Sequence, residues 1–505
     1  MSLASSPASS SSEEATPKYV AVIDIGSNSV RLVVYDGLRR VPAPVFNERV
    51  LCGLGRSIVG TGRLDRDGVQ LAIDTLQRFQ TIVADFGAPV VDVVATAAVR
   101  DAEDGREFVE RVDTEIGLSI RVLDGGEEAR VSALGVISGN PGADGVMGDL
   151  GGGSLELVEL DKGIPRRSTT LALGSLSLGP MRGPELRRTV AAALADVAWL
   201  SSINGRTLFA VGGSWRALAK LHIAQNRYPV SIVHNYSMAT STAEGLTDLI
   251  GRMSPESLAG IVGVPRRRLD SLPAAATTMH HLLRIARPRE VIFSAFGVRE
   301  GLLFDRLSTA EQDEDPLLVG CRQLTQCGGR RVDDGDVLWG WLRPLFDSTT
   351  PDQVRLCRAA CELCDIAWRA HPDYRADEAL TRVIRAPIVG VDHPARVFLG
   401  LAIYTRYGGE VTGDKTAPYR RLINERTLGN AHRLGAALRF ASVIAAGGTR
   451  LSEVGSLQVN EREVVLALTK KGRLLYNDLV ARRFKALARL LDKKTAVSDE
   501  ELRAT

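Results

Sequence analysis

The chain has 505 residues, of which 45% are apolar and 24% charged, and carries a net charge of +3. That length predicts two to four domains, and the composition is that of a soluble globular protein. No apolar run approaches the roughly 18 residues that cross a bilayer, and six unevenly placed cysteines argue for a reducing, cytoplasmic setting without a disulfide framework.

The opening, Met1–Thr16, is Ser-rich and lacks the basic start and apolar core of a signal peptide, so it reads as a disordered tail. Tyr19–Asp36 (YVAVIDIGSNSVRLVVYD) holds two apolar strand-like runs split by a polar loop. A helical stretch follows over Asp67–Phe86, then a strand at Val90–Thr96 and a helix at Glu103–Ile116. A strand at Ser119–Gly125 leads into a helix from Glu127 to Ile137. Strands alternating with helices at this spacing predict a layered α/β domain.

At Gly145 the pattern restarts as GVMGDLGGGSLELVELD. With an offset of 125 residues, Asp24 meets Asp149, Gly26 meets Gly151, Ser29 meets Ser154, and Leu32 meets Leu157. Such internal repetition predicts a second lobe built like the first, continuing through Leu208–Leu221 and Glu290–Leu303. After about Ser308 the character turns helical, with stretches at Cys357–Arg369, His393–Tyr407 and Leu479–Leu491. EREVVLAL (Glu461–Leu468) reads as a short β-like interruption.

The duplicated loop has a chemistry of its own. An Asp ending a strand delivers a carboxylate to the sheet edge, where it can hold a divalent cation. The residues after it, Gly26, Ser27, Asn28 and Ser29 or Gly151, Gly152, Gly153 and Ser154, let the backbone turn tightly and aim N–H groups at phosphate oxygens. Two such loops predict a cleft that grips one phosphate from both sides.

DIGSNSVRL (Asp24–Leu32) with DLGGGSLEL (Asp149–Leu157) resembles the paired phosphate motifs of the exopolyphosphatase/guanosine pentaphosphate phosphohydrolase (Ppx/GppA) family. That family belongs with actin, sugar kinases and the heat-shock ATPases. The similarity runs on through ATAAVRDA (Ala95–Ala102), GGEEAR (Gly125–Arg130), LGSLSL (Leu173–Leu178) and FGVREGLL (Phe296–Leu303), covering roughly residues 17–308. It implies an α/β fold of two actin-like (ribonuclease H-like) lobes, at 17–140 and 141–311, with a phosphate cleft between them. The helical region 312–505, subdivided near 412, resembles only loosely the HD-related extension of the long family members. A working HD site needs a His-Asp pair, whereas this chain has Asp392-His393 in reversed order, so the region reads as a binding and dimerising module.

The resemblance also implies roles. Glu128 falls on the general base that activates water. A helix dipole lowers the pKa of such a residue and burial raises it, so the sequence leaves that balance open. Asp149 and Glu156, with Asp24 as a third candidate, fall on carboxylates that face the metal, expected to be Mg²⁺ with K⁺ as a further candidate ion. Arg100, following Thr96, and Arg31 fall on phosphate-binding positions, and an arginine can fork onto two phosphate oxygens. Arg299 is either part of the cleft wall or a surface ion pair.

The expected activity is hydrolysis of terminal phosphates from inorganic polyphosphate by a homodimer, with guanosine pentaphosphate as the alternative substrate. A sugar-kinase-like phosphotransferase, suggested by VGGSWRAL (Val211–Leu218), and an actin-like ATP-driven binder are rivals of other classes. From Thr412 onward, 18 Lys and Arg stand against 10 Asp and Glu. Lys470, Lys471, Arg473, Arg482 and Arg483 are therefore candidates for a surface that attracts a polyanion, read here as polyphosphate and not nucleic acid. Cys357, Cys361 and Cys364 share one helix face and read as core, as does His280-His281.

Overall fold

The computed structural model describes residues 18–178, 181–261, 268–326, 334–346, 349–446, 448 and 450–499. The Ser-rich tail lies outside these. Among the described residues, no helix is long and apolar enough to cross a membrane.

Strands β1 (Val20–Ile25), β2 (Val30–Tyr35), β3 (Pro44–Val50), β4 (Val90–Ala95) and β5 (Arg121–Val122) form one sheet in the order β3-β2-β1-β4-β5. The central strand β1, VAVIDI, is buried along nearly its whole length, as expected of a strand covered on both faces. The seven-residue strand expected over Ser119–Gly125 shrinks to the two residues of β5.

A second sheet takes β6 (Gly145–Leu150), β7 (Leu155–Asp161), β8 (Ile164–Leu171), β9 (Thr207–Val211), β10 (Tyr236–Ala239) and β11 (Glu290–Phe293) in the order β10-β11-β9-β6-β7-β8. Setting β6, β7, β8, β9 and β11 against β1 to β5 reproduces the same order, with β10 added at one edge. The repeat holds at the level of register. Asp24 pairs with Arg31 across β1 and β2, and Asp149 pairs with Glu156 across β6 and β7.

The chain passes from the first lobe to the second along the helix Gly125–Gly139 and returns along Val298–Asp305. These two helices cross at backbone contact. A Cβ on Gly301 would run into the Val131 carbonyl, and one on Gly135 into the Gly297 carbonyl. Leu302 and Leu303 of the returning helix close the inner face of the first sheet, packing with Val20, Val22, Val33 and Tyr35.

The C-terminal region is mostly helical and has a core of its own, in which Cys357, Cys361 and Cys364 are buried. The run Glu461–Leu468 is no isolated interruption. Its residues form β13 (Glu463–Leu468), the middle strand of a small sheet between β12 (Gly455–Val459) and β14 (Lys494–Asp499). The parallel partner β14, KTAVSD, is too polar to read as a strand from sequence. The region docks on the second lobe: Asn235 Nδ2 donates to the Val391 carbonyl at 3.1 Å, and Gly390 N to the Gly139 carbonyl at 3.0 Å. His393 lies buried in this joint, its Nε2 3.2 Å from the His234 carbonyl, while Asp392 caps the helix His393–Arg406 through Ala395 N.

Candidate active site

Both Gly/Ser loops close in the same way. Gly26 N donates to the Ser29 carbonyl and Gly151 N to the Ser154 carbonyl, each at 3.0 Å. The loops meet face to face across a cleft of about 170 Å³, lined by Gly26, Ser27, Asn28 and Ser29 on one side and Gly151, Gly152, Gly153 and Ser154 on the other. A Cβ on Gly152 would stand 2.9 Å from the Ser27 Cβ, and one on Gly153 2.7 Å from the Ala97 Cβ. Glycine is required here because the two backbones approach too closely for a side chain.

The LGSLSL stretch braces the second loop from behind. Ser175 N and Leu176 N donate to the Gly151 and Gly152 carbonyls at 3.1 and 2.8 Å, and Ser177 Oγ donates to the Gly153 carbonyl at 2.7 Å. These bonds occupy the carbonyls of Gly151, Gly152 and Gly153.

Four carboxylates gather at one end. Asp24 and Asp149 stand one residue before the ends of β1 and β6, at the cleft, and Glu128 enters from the first turn of the crossing helix, whose cap is Asp124. Glu127 turns outward to pair with Arg121, so the second glutamate of the EEA run is the one that faces the site. Glu128 Oε2 accepts from Arg100 Nη1 at 2.8 Å. Burial wins over the helix dipole: it raises the Glu128 carboxyl to about 7, with the Arg100 guanidinium opposing and the Asp149 and Asp24 charges adding. Glu156 lies behind the cleft wall, 1% exposed, with Oε1 unpaired. Burial and the charges of Glu128 and Asp149 push it well above the usual carboxylate range. Asp149, also raised by burial, accepts from Ser132 Oγ at 2.5 Å.

Arginines line the same cleft: Arg31, Arg49, Arg216, Arg268 and Arg299. Arg49 Nε donates to Ser29 Oγ at 3.0 Å, Arg31 Nε to Asn47 Oδ1 at 2.9 Å, and Arg299 Nη1 to Asp24 Oδ2 at 2.8 Å. Arg299 thus belongs to the cleft wall and ties the two lobes together. Burial and then the charge of Arg299 pull Arg31 and Arg216 down. Carboxylates held up and guanidiniums held down, side by side, are an arrangement that a phosphate group paired with a divalent cation would neutralise from both ends.

Thr96 lines the cleft as expected. Arg100 does not: it turns away to hold Glu128, Asp101 and the Leu123 carbonyl. Among the described residues no three His, Cys, Asp or Glu side chains form a ready metal shell. The donors present, with Glu156 Oε1 unpaired, suit a hard cation that takes one or two carboxylates and completes its shell with phosphate and water oxygens. Sequence reasoning missed Arg49, Arg216, Arg268 and Ser175. Arg216 lay within the VGGSWRAL stretch and Ser175 within LGSLSL, so each carried a signal. Arg49, on edge strand β3, and Arg268 carried none.

Residues 33–310 match the model of the Ppx/GppA phosphatase family, and residues 346–497 match that of the exopolyphosphatase C-terminal region. The chain belongs to the Ppx/GppA phosphatase family. It is 27% identical to retrograde regulation protein 2 of Saccharomyces cerevisiae, over 77% of this chain and 73% of that protein. It is 29% identical to exopolyphosphatase 1 of Mycobacterium tuberculosis, over 59% of this chain and 91% of that protein. The crystal structure of the Aquifex aeolicus Ppx/GppA family member superimposes with a TM-score of 0.50 at 27% identity, covering 57% of this chain and 99% of that one. The second Gly/Ser loop and Glu128 lie within residues 33–310, and most of the helical extension lies within the second match, 346–497.

Proposed function

We propose that this Ppx/GppA protein is an exopolyphosphatase that removes terminal phosphates from inorganic polyphosphate. The observation that carries this reading is Glu128, a carboxyl raised to about 7, facing two Gly/Ser loops and a bank of arginines. A general base works best with a pKa near the operating pH. Water attacks the terminal phosphorus and its proton passes to a Glu128 carboxylate oxygen. The P–O bond to the next phosphate breaks, releasing orthophosphate and a chain shorter by one. Loop amides and arginines hold the terminal phosphate and offset charge as the bond loosens.

Mg²⁺ would be held by Asp149 with Asp24 or Glu156, and would supply charge neutralisation on the phosphate oxygens. Arg100 positions the base rather than binding phosphate directly. The same reading takes the protein as a homodimer in a reducing cytoplasm, in keeping with five free, buried cysteines among the described residues.

Two features favour a phosphate chain over a nucleotide-binding kinase. The cleft is smaller than the roughly 300 Å³ and more of common small-ligand sites, which suits a phosphate group better than a whole nucleotide. Gly213, in the turn within VGGSWRAL, is covered by the Arg268 guanidinium. Hydrolysis of guanosine pentaphosphate remains the second reading, because its nucleoside can stay outside while a phosphate enters. It is favoured by 25% identity to the guanosine-5'-triphosphate,3'-diphosphate pyrophosphatase of Aeromonas salmonicida. The test is phosphate release from long polyphosphate, guanosine pentaphosphate and ATP, side by side with Mg²⁺. Fastest release from polyphosphate is expected. Release from guanosine pentaphosphate alone would select the second reading, and release from ATP alone would sink both.

A further inference from the structure

A second cavity, of about 630 Å³, opens in the C-terminal region, outside the chemistry of the cleft. It lies between the first turns of the helix Glu425–Ile444, the pair Leu345 and Phe346, and the end of β12. One wall is apolar, formed by Leu345, Phe346, Leu356, Phe398 and Leu491. The lining also carries three cations, Arg426, Arg433 and Lys493, against one carboxylate, Glu425.

The cations are not all committed elsewhere. Arg433 donates from Nε to the Leu490 carbonyl at 3.1 Å and from Nη1 to Asn430 Oδ1 at 3.4 Å, which leaves Nη2. Lys493 Nζ donates to the Asn460 and Glu461 carbonyls at 2.6 and 3.1 Å. Arg426 is exposed, and no hydrogen bond or ion pair joins it to a described residue. Asn430 and Thr427 add polar groups on the same helix.

Gly429 is the second, independent sign. It lies inside the 20-residue helix Glu425–Ile444, where glycine weakens the helix relative to alanine. A Cβ there would meet no heavy atom within 4 Å, so no contact inside the protein calls for the glycine. Yet Gly429 lines the cavity, where a bare backbone gives room for something to lie against the helix.

We propose that this cavity binds a small phosphorylated molecule bearing an aromatic ring, of the mononucleotide class. The ring lies against Phe346, Phe398 and the leucines, and the phosphate meets Arg426, Arg433 and Lys493. An inorganic phosphate chain would leave the apolar wall bare, and an uncharged aromatic would leave the cations unused. The volume falls within the roughly 300–1,000 Å³ of small-molecule sites.

The test titrates the full chain with N-methylanthraniloyl-GMP, read by fluorescence anisotropy, with GMP and inorganic tripolyphosphate as competitors. Saturable binding below about 1 mM is expected, with GMP the better competitor. Gly429→Phe projects a ring into the cavity and should weaken binding at least tenfold. Arg426→Glu, at an exposed position that leaves the fold alone, should weaken it severalfold. Glu128→Gln should leave it unchanged, which separates this site from the cleft. No saturation, or parental affinity in both C-terminal variants, overturns the proposal. Loss of binding in Glu128→Gln alone would move the nucleotide to the cleft and also overturn it. Tripolyphosphate competing as well as GMP would reduce the cavity to a polyanion patch, a third overturning result.

Discussion

At the scale of single residues, Glu128 is set by opposing forces: burial and neighbouring carboxylates hold its proton on, and Arg100 helps to remove it. Glu128→Gln should therefore lower kcat by about 10²–10⁴-fold with KM little changed, the span for losing a positioned base. Because the base must be ionised to accept a proton, kcat/KM should fall about tenfold per pH unit below pH 7. Arg100 lowers the Glu128 pKa, so Arg100→Met should move that acid limb toward higher pH, while the titration of the substrate stays common to both enzymes. An unmoved limb would strip Arg100 of its positioning role. Asp149 is held by Ser132 and lies one residue before the end of β6, at the cleft. Asp149→Asn should raise the Mg²⁺ concentration for half-maximal rate, measured by phosphate release across a Mg²⁺ titration.

At the scale of elements, the opposed loops depend on glycine as much as on their polar groups. Gly152→Ala places a methyl 2.9 Å from the Ser27 Cβ and forces the loops apart. Displacing a bound group by about 1 Å can cost 10²-fold, so kcat/KM should fall by one to two decades with the melting temperature nearly unchanged. These loops were legible in the sequence because each follows a strongly apolar strand and because the motif occurs twice. The 125-residue offset carried down to the register of the pairs Asp24–Arg31 and Asp149–Glu156. What was not legible had weak local pattern. Strand β8, IPRRSTTL, is an edge strand with five of its eight residues exposed and none buried, so its composition carries no apolar signature. Arg49 and Arg268 reach the cleft only through tertiary folding, which no spacing in the chain encodes. The pKa of Glu128 needed the burial that only the packed helix supplies.

At the scale of the whole molecule, the basic C-terminal clusters are partly neutralised by their own neighbours. Lys471 pairs with Glu453, and Arg473 Nε donates to Asp499 at 3.0 Å, while Lys470 and Arg482 are exposed. If this face holds a long chain between cleavages, Lys470→Gln with Arg482→Gln should raise KM for long polyphosphate and flatten its salt dependence. Cleavage of tripolyphosphate should stay at the parental rate. Equal salt dependence in parent and variant would make the clusters ordinary solvated surface.

The placement of Leu302 and Leu303 has a consequence for how the protein is made. They cover the first sheet, yet they are translated long after it. When residue 140 leaves the ribosome, the residues of β1 to β5 have been made, but Leu302 and Leu303, which cover part of their inner face, have not. At about 5–20 residues per second, roughly 8–33 s pass before residue 305 follows. Through that interval the nascent first lobe shows apolar strand surface and is open to capture by chaperones. A fragment ending at residue 140 should accordingly melt without a cooperative urea transition, whereas the full chain shows one. In this protein the second lobe is therefore a folding partner of the first before it is the other wall of the cleft.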